Sequence, residues 1–179
     1  GEGYVQLVRD GVVQRVSAID TNDIAGPLGV GAPHFVIPDQ AFPYIIHFEN
    51  LPTATAPALV VAVTQQLDDN LDWSTFELGD FGFGPYVVDV PAGRRFYGTR
   101  VDATSTVGEY VDVSAEFDAT TGQITWTFTS IDPATGQIPE GATDGFLPPE
   151  DGTGVGQGFV TYLVQPRTGL ATGDTVPAQ

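Results

Sequence analysis

The sequence predicts an all-β protein built as an antiparallel two-sheet sandwich, with one long irregular loop at about residues 132–157. Three observations support this fold class. Apolar residues alternate with polar ones at the two-residue period of half-buried strands, and helix-period patterns are almost absent. The 22 glycines and 14 prolines lie between the apolar runs rather than in tracts. Roughly nine or ten short strands with turns every 8–12 residues are typical of a β-sandwich.

The N-terminal half contains a predicted hairpin and two further strands. Residues 4–19 form two apolar runs around Asp10-Gly11, which is a strong hairpin signal. The stretch PYIIHFEN (43–50) alternates apolar and polar side chains. ALVVAVTQQL (58–67) is apolar on both faces at its start, but its valines and the preceding Pro57 favour a buried strand over a helix.

The C-terminal half has the clearest strand patterns. Strands are predicted over residues 73–78, 86–90, 94–102, 109–118, 123–131 and 158–166. In EYVDVSAEFD (109–118) the alternation predicts that Val111, Val113, Ala115 and Phe117 point inward. The strand 123–131 follows a Thr-Thr-Gly turn and is expected to form a second hairpin with the strand 109–118. Trp126 shares a face with Ile124 and Phe128, which predicts a core position.

The charge of the chain excludes several classes of function. It has 23 acidic and 6 basic residues, a formal net charge of −17. All the basic residues are arginines, and neither lysine nor cysteine is present. So negative a surface disfavours nucleic acid and anionic membranes as partners, and favours divalent cations. Without lysine or cysteine, lysine–asparagine isopeptide crosslinks, disulfides and zinc–thiolate sites are excluded.

The long segment 132–157 is a candidate cation site. Ordered loops of this length are uncommon and usually have a function or a ligand that holds them. Its acidic side chains include Asp132, Asp144, Glu150 and Asp151. Crowded carboxylates repel each other unless they are neutralised, so we predict that a calcium ion binds among them.

A second candidate calcium site is DTNDIAGPLG (20–29). Asp20, Asn22 and Asp23 offer three oxygen ligands within four residues, and calcium prefers six to eight oxygens. The alternative is that Asp20 and Asn22 cap a turn through their own backbone. The Asp-rich stretch QLDDNLDW (66–73) is a weaker candidate of the same kind.

Catalytic motifs are missing, so we predict that the chain is not an enzyme; a glycan-active enzyme with paired carboxylates is a distant third alternative. His34 and His47 have no third catalytic residue at a recognisable spacing, and no nucleophile elbow, zinc-protease or phosphate-loop string occurs. A carbohydrate-binding module is the alternative, because sugar platforms on sandwiches use exposed aromatic side chains. Its candidate residues are Trp73, Tyr97 and Tyr110, with Tyr86 and Tyr162 as further aromatics.

Several stretches together resemble a known family. PYIIHFEN, LDWSTFELGDFGFG, TFTSIDPATGQIP and GQGFVTYLVQP are similar to the Ig-like "conserved repeat" modules of large bacterial surface and secreted proteins. The resemblance covers approximately residues 18–179. It implies an N-terminal hairpin or junction (1–19), an Ig-like sandwich (20–179), an extracellular location and an adhesin-like parent protein.

The resemblance also implies partners. Neighbouring domains of the same polypeptide are expected to flank the module, and glycans are a further candidate. Similar modules continue into one more strand after the equivalent of TGDTVPAQ. We therefore expect that the last sheet strand is missing here and that another chain's β-strand could complement an open edge.

Overall fold

The structure is a computed structural model that describes residues 4–9, 12–16, 24–25 and 41–167. This part of the chain contains eleven strands and no helix. The strands are β1 (Tyr4–Arg9), β2 (Val12–Val16), β3 (Ile24–Ala25), β4 (Phe42–Glu49), β5 (Val60–Gln66), β6 (Leu71–Phe83), β7 (Tyr86–Val88), β8 (Phe96–Ala103), β9 (Glu109–Asp118), β10 (Gln123–Ile131) and β11 (Gln157–Pro166).

The strands form two antiparallel sheets. The first has the order β2-β1-β5-β10-β9-β8, and the second has the order β3-β4-β11-β6-β7. A single cluster of buried apolar side chains draws on both sheets. The prediction of an all-β antiparallel sandwich is therefore confirmed, and so is the hairpin of β1 and β2.

The strand order can be compared with that of an immunoglobulin sandwich. The series β1-β5-β10-β9 has the order A-B-E-D, and β11-β6-β7 has the order F-C-C′. The place of strand G beside F is taken by β4, which pairs antiparallel with β11. Since β11 lies between β4 and β6, neither of its edges is open, so an added strand would have to pair elsewhere.

The core follows the predicted alternation. Tyr44, Ile46 and Phe48 of β4 are buried, and so is Trp126 at the centre of β10. The bounds of β9 and β10 are those predicted from the sequence. Aromatic rings link the two sheets: Phe48 and Phe128 lie 5.4 Å apart, between β4 and β10. Such pairs add about 0.5–1.5 kcal/mol each beyond the area that they bury.

Strand β6 is longer than predicted because it continues through two glycines. It runs from Leu71 to Phe83 and has irregular register against β11. A Cβ at Gly82 would lie 2.7 Å from the Phe159 ring, and one at Gly79 would collide with the Thr161 hydroxyl. The glycines therefore allow close approach to β11, and the strand continues past the predicted end at residue 78.

The N-terminal hairpin extends the first sheet, because β1 pairs with β5 over five positions. The predicted junction near residue 19 and the segment 168–179 lie outside the described residues. No helix long and apolar enough to cross a membrane occurs in the described ranges.

Candidate functional site

The irregular segment between β10 and β11, residues 132–156, is anchored in the core by two apolar side chains. Phe146 and Leu147 are buried, at 2% and 0% exposure. The Phe146 ring packs edge-on against Phe83 at 5.1 Å. Leu147 forms a backbone bridge with Ala58, whose N–H donates to the Leu147 carbonyl at 2.8 Å. The prediction of a long irregular loop is confirmed, and packing holds its middle.

Asn50 ties the end of β4 to this segment. Its side-chain Nδ2 donates to the carbonyls of Ala56 and Leu147, both at 3.0 Å. Its backbone N–H donates to the Gly156 carbonyl, and its carbonyl accepts from the Glu150 N–H, both at 2.8 Å. One buried residue thus joins two loops that lie almost a hundred positions apart in the sequence.

Two buried polar side chains from neighbouring strands fix the start of the buried stretch. The Glu109 carboxylate on β9 accepts the Gly145 N–H at 2.7 Å. The Ser130 hydroxyl on β10 accepts the Phe146 N–H at 2.9 Å. The second oxygen of Glu109, Oε2, is buried without a partner among the described residues. Glu109 therefore serves as a backbone anchor rather than as part of a cluster.

Glu150 is surrounded by backbone N–H groups. Its carboxylate accepts from Gly152 at 2.7 Å, and from Gly154 and Gly156 at 2.8 Å each. These bonds, with that from Gly154 the largest contribution, lower the pKa of Glu150. Gly152 and Gly154 have φ of 92° and 89°, and such turns form concave anion sites. This loop is organised around the Glu150 carboxylate, whereas in a calcium site several oxygen ligands would point toward one cation.

The other predicted loop ligands also cap turns. Asp132 accepts the Ala134 N–H and the Thr135 hydroxyl, both at 2.9 Å. Asp144 accepts the Gly141 N–H at 2.9 Å. Asp151 accepts from both the N–H and the hydroxyl of Thr153. Among the described residues, no group of three or more His, Cys, Asp or Glu side chains could hold a metal ion.

The first candidate cluster, Asp20, Asn22 and Asp23, lies outside the described residues. The stretch Asp68–Asp72 lies within them and acts as a bend. Asp68 Oδ1 accepts the Asn70 N–H at 2.8 Å, and Asp72 Oδ1 accepts from the Ser74 N–H and hydroxyl. Calcium binding by this protein stays a prediction.

A recurrent Asp-x-Ser/Thr turn was missed in the sequence. In each case Asp Oδ1 accepts both the N–H and the hydroxyl of the residue two positions on. The pairs are Asp72–Ser74, Asp102–Thr104, Asp118–Thr120 and Asp151–Thr153. The hydroxyl bond is the largest cause that lowers the pKa of each of these aspartates. The pattern is local and could have been read directly from the sequence.

The aromatic candidates for a sugar platform do not share a face. Tyr97 lies opposite the inward-facing Ala115, and Tyr110 alternates with the buried Val111 on the outer face of the same sheet. Trp73 belongs to β6 in the other sheet. Its Nε1 donates to the Asp68 carbonyl at 3.1 Å, and its ring lies against the backbone of Gly122.

The remaining aromatics have structural contacts. Tyr162 was a further candidate for sugar binding, and that prediction is wrong because Tyr162 is 2% exposed and stacks on Tyr44 at 5.0 Å. Burial raises the pKa of Tyr162. Tyr86 bonds to the Thr106 hydroxyl at 2.9 Å.

Two arginines, Arg95 and Arg100, bond to other groups of the chain. Arg100 donates to both oxygens of Asp112, at 2.6 and 2.8 Å, and its guanidinium lies over the Tyr110 ring at 5.4 Å. Arg95 donates to the carbonyls of Trp73 and Ser74. The guanidinium groups of Arg95 and Arg100 are thus engaged in contacts within the chain.

Comparison with known proteins gives one partial match. A family model described as a domain of unknown function (DUF7619) matches residues 20–89. That range begins at the Asp20 cluster, extends just past β7 and spans less than half of the chain. No curated protein and no solved structure matches the chain.

Proposed function

We propose that this chain is a non-catalytic structural or adhesive module of a large bacterial secreted or cell-surface protein, and that calcium stabilises it. The observation that supports a structural role is how the 132–156 segment is held. Asn50, Glu109, Ser130 and Glu150 each bond its backbone, and Phe146 fills the core. Polar side chains that could form a ligand site are engaged in fixing the chain itself.

Thermal unfolding in the presence of a glycan panel distinguishes the structural role from the carbohydrate-binding alternative. A ligand at a hundred times its Kd would stabilise the fold by about 2.7 kcal/mol. That corresponds to a rise in Tm of about 5–10 °C for a domain of this size. We expect no saccharide to produce it. A saccharide that does, and whose effect is lost in Tyr110→Ala or Trp73→Ala, would replace the structural proposal with a carbohydrate-binding one.

Calcium titration tests the stabilising ion. Weak extracellular sites have Kd values of about 10⁻⁴–10⁻³ M, so 10 mM calcium should raise Tm relative to EDTA. The double substitution Asp20→Asn/Asp23→Asn should abolish the rise. The matched control Asp132→Asn/Asp151→Asn should keep it, because those carboxylates bond to turns. An unchanged Tm in wild type would remove calcium from the proposal and leave the structural role.

A further inference from the structure

Strand β8 is the longest of the strands that lie at the end of a sheet in the described part of the chain. Among the described strands, β8 lies at the end of the six-stranded sheet and pairs only with β9, over eight continuous positions. The edge strands β2, β3 and β7 have five, two and three residues. Edge strands are commonly protected by proline, lysine, a bulge or shortness. The stretch FYGTRVDA has no proline, lysine or bulge, and its two charged residues are Arg100 and Asp102.

The hydrogen-bonding pattern between β8 and β9 shows which residues of β8 direct their backbone N–H and C=O groups away from β9. The Phe117 N–H donates to the Arg95 carbonyl at 2.9 Å, so Arg95 and Phe117 form a hydrogen-bonded pair. Such pairs alternate along an antiparallel ladder. The backbone N–H and C=O groups of four residues therefore point away from β9: Phe96, Gly98, Arg100 and Asp102. No hydrogen bond joins these groups to another described residue.

The side chains along this edge indicate which residues a strand bound beside β8 would carry. Phe96 is 63% exposed. A Cβ on Gly98 would have no atom closer than 3.8 Å, so the space above it is open. Arg100 is neutralised by Asp112. Asp102 uses Oδ1 for the turn to Thr104 and stays ionised, because that bond lowers its pKa.

We propose that the β8 edge binds an extended basic peptide segment of another protein by antiparallel strand addition. The segment carries arginine or lysine opposite Asp102, a large aromatic residue opposite Gly98 and an apolar residue opposite Phe96. Its backbone bonds to the four outward-facing residues. The net charge of −17 favours a basic partner, since a second copy would bring the same surplus of acids. This interaction goes beyond the structural role and does not depend on calcium.

Peptide binding to the intact chain tests the proposal. The probe is a fluorescent peptide with the core Arg-Val-Thr-Val-Tyr-Val-Leu, and its control has glutamate in place of the arginine. We expect saturable binding of the first peptide, weaker binding of the second, and shifts of the Phe96, Gly98, Arg100 and Asp102 amide signals in NMR spectra. Absence of binding, or shifts confined to another strand, would overturn the proposal.

Substitutions at Gly98 give the matched pair. Gly98→Pro removes an outward-facing N–H and obstructs the edge, but removes no bond to β9, so the fold should persist. We expect it to weaken binding at least about tenfold, whereas Gly98→Ala changes it less than about twofold. Equal binding by both variants would refute the assigned edge. Circular dichroism of each variant confirms that it is folded.

A charge substitution and a molecular-mass measurement distinguish a basic peptide from a second copy of the chain as the partner at the β8 edge. Asp102→Asn keeps the acceptor for Thr104 and removes the charge, so binding of the basic peptide should weaken about two- to fivefold. Unchanged binding would remove the charge requirement and overturn the assignment of a basic partner. In sedimentation equilibrium we expect a monomer. A wild-type dimer that Gly98→Pro converts to monomer would show that a second copy occupies the edge, against the proposal.

Discussion

Aspartate side chains in this protein act mainly on the backbone next to them. Four Asp-x-Ser/Thr turns repeat one geometry, at the start or end of strands and in the long loop. A short polar side chain that bonds two residues ahead fixes a turn without a distant partner. The surplus of acids therefore has a local structural use, which a count of charges does not reveal.

These turns predict an acid-sensitive stability. The folded-state pKa of each capping aspartate is lowered. Its contribution is thus present above the unfolded pKa of about 3.9 and is lost as the pH falls through the lower folded pKa. We expect this contribution to Tm to be lost between about pH 5 and pH 2, while protonation also reduces the self-repulsion of the net charge. A variant with alanine at all four hydroxyl positions, Ser74, Thr104, Thr120 and Thr153, should therefore lose less Tm than the wild type over this range.

Thermal melts across this pH range provide the measurement. Thr53→Ala is the control, because Thr53 is exposed and has no bond to a carboxylate among the described residues. An identical pH profile for wild type and the fourfold variant would contradict the capping role. A changed profile in the control would assign the effect to threonine content instead.

At the scale of elements, the loop 132–156 behaves as part of the core although it contains no strand. Phe146 and Leu147 follow Gly145, whose φ of 141° lies in a region that favours glycine. A Cβ there would lie 2.7 Å from the Cβ of Pro57. The close approach lets the loop insert Phe146 between Phe83 and Phe128, so the order of the loop comes from packing.

This packing predicts that two apolar substitutions in the same loop change the free energy of unfolding by very different amounts. Phe146→Ala should lower the free energy of unfolding by about 3–5 kcal/mol, because it removes a buried ring and leaves a cavity. Ile138→Ala, at a side chain that is 46% exposed, should change it by less than about 0.5 kcal/mol. Urea denaturation measures both. Similar values for the two variants would show that the loop is not anchored by its apolar side chain.

At the scale of the molecule, the dominant quantity is the net charge of −17. The described part of the chain contains one ion pair between side chains, Arg100 with Asp112, so most carboxylates lack a basic partner. Self-repulsion of this size destabilises the compact state and is screened by salt.

Salt should therefore stabilise the protein. The screening length falls from about 10 Å at 0.1 M to about 3 Å at 1 M ionic strength, so Tm should rise with sodium chloride and level off near 1 M. A variant with three exposed acids neutralised, Asp69→Asn, Glu116→Gln and Glu140→Gln, should start from a higher Tm and show a smaller rise. A Tm independent of salt would contradict the role of self-repulsion.

The sequence by itself determined the fold class, most strand positions and much of the core. Alternation in 109–118 and 123–131 depends only on neighbouring residues, so it was sufficient to place both strands and Trp126. The lack of lysine and cysteine likewise excluded lysine–asparagine isopeptide bonds and disulfides directly.

Only the tertiary structure decided how the polar residues are used and which strands are neighbours. The hydrogen bond from Asn50 to the Leu147 carbonyl spans 97 positions, and no local sequence pattern predicts it. Glu150 was predicted from the sequence as a calcium ligand, and in the structure its carboxylate accepts hydrogen bonds from three backbone N–H groups. A carboxylate can cap a turn, bind a cation or anchor a loop, and its choice depends on which donors lie within about 3 Å. Distances between segments far apart in the chain are set by folding, and so is the exposed edge of β8.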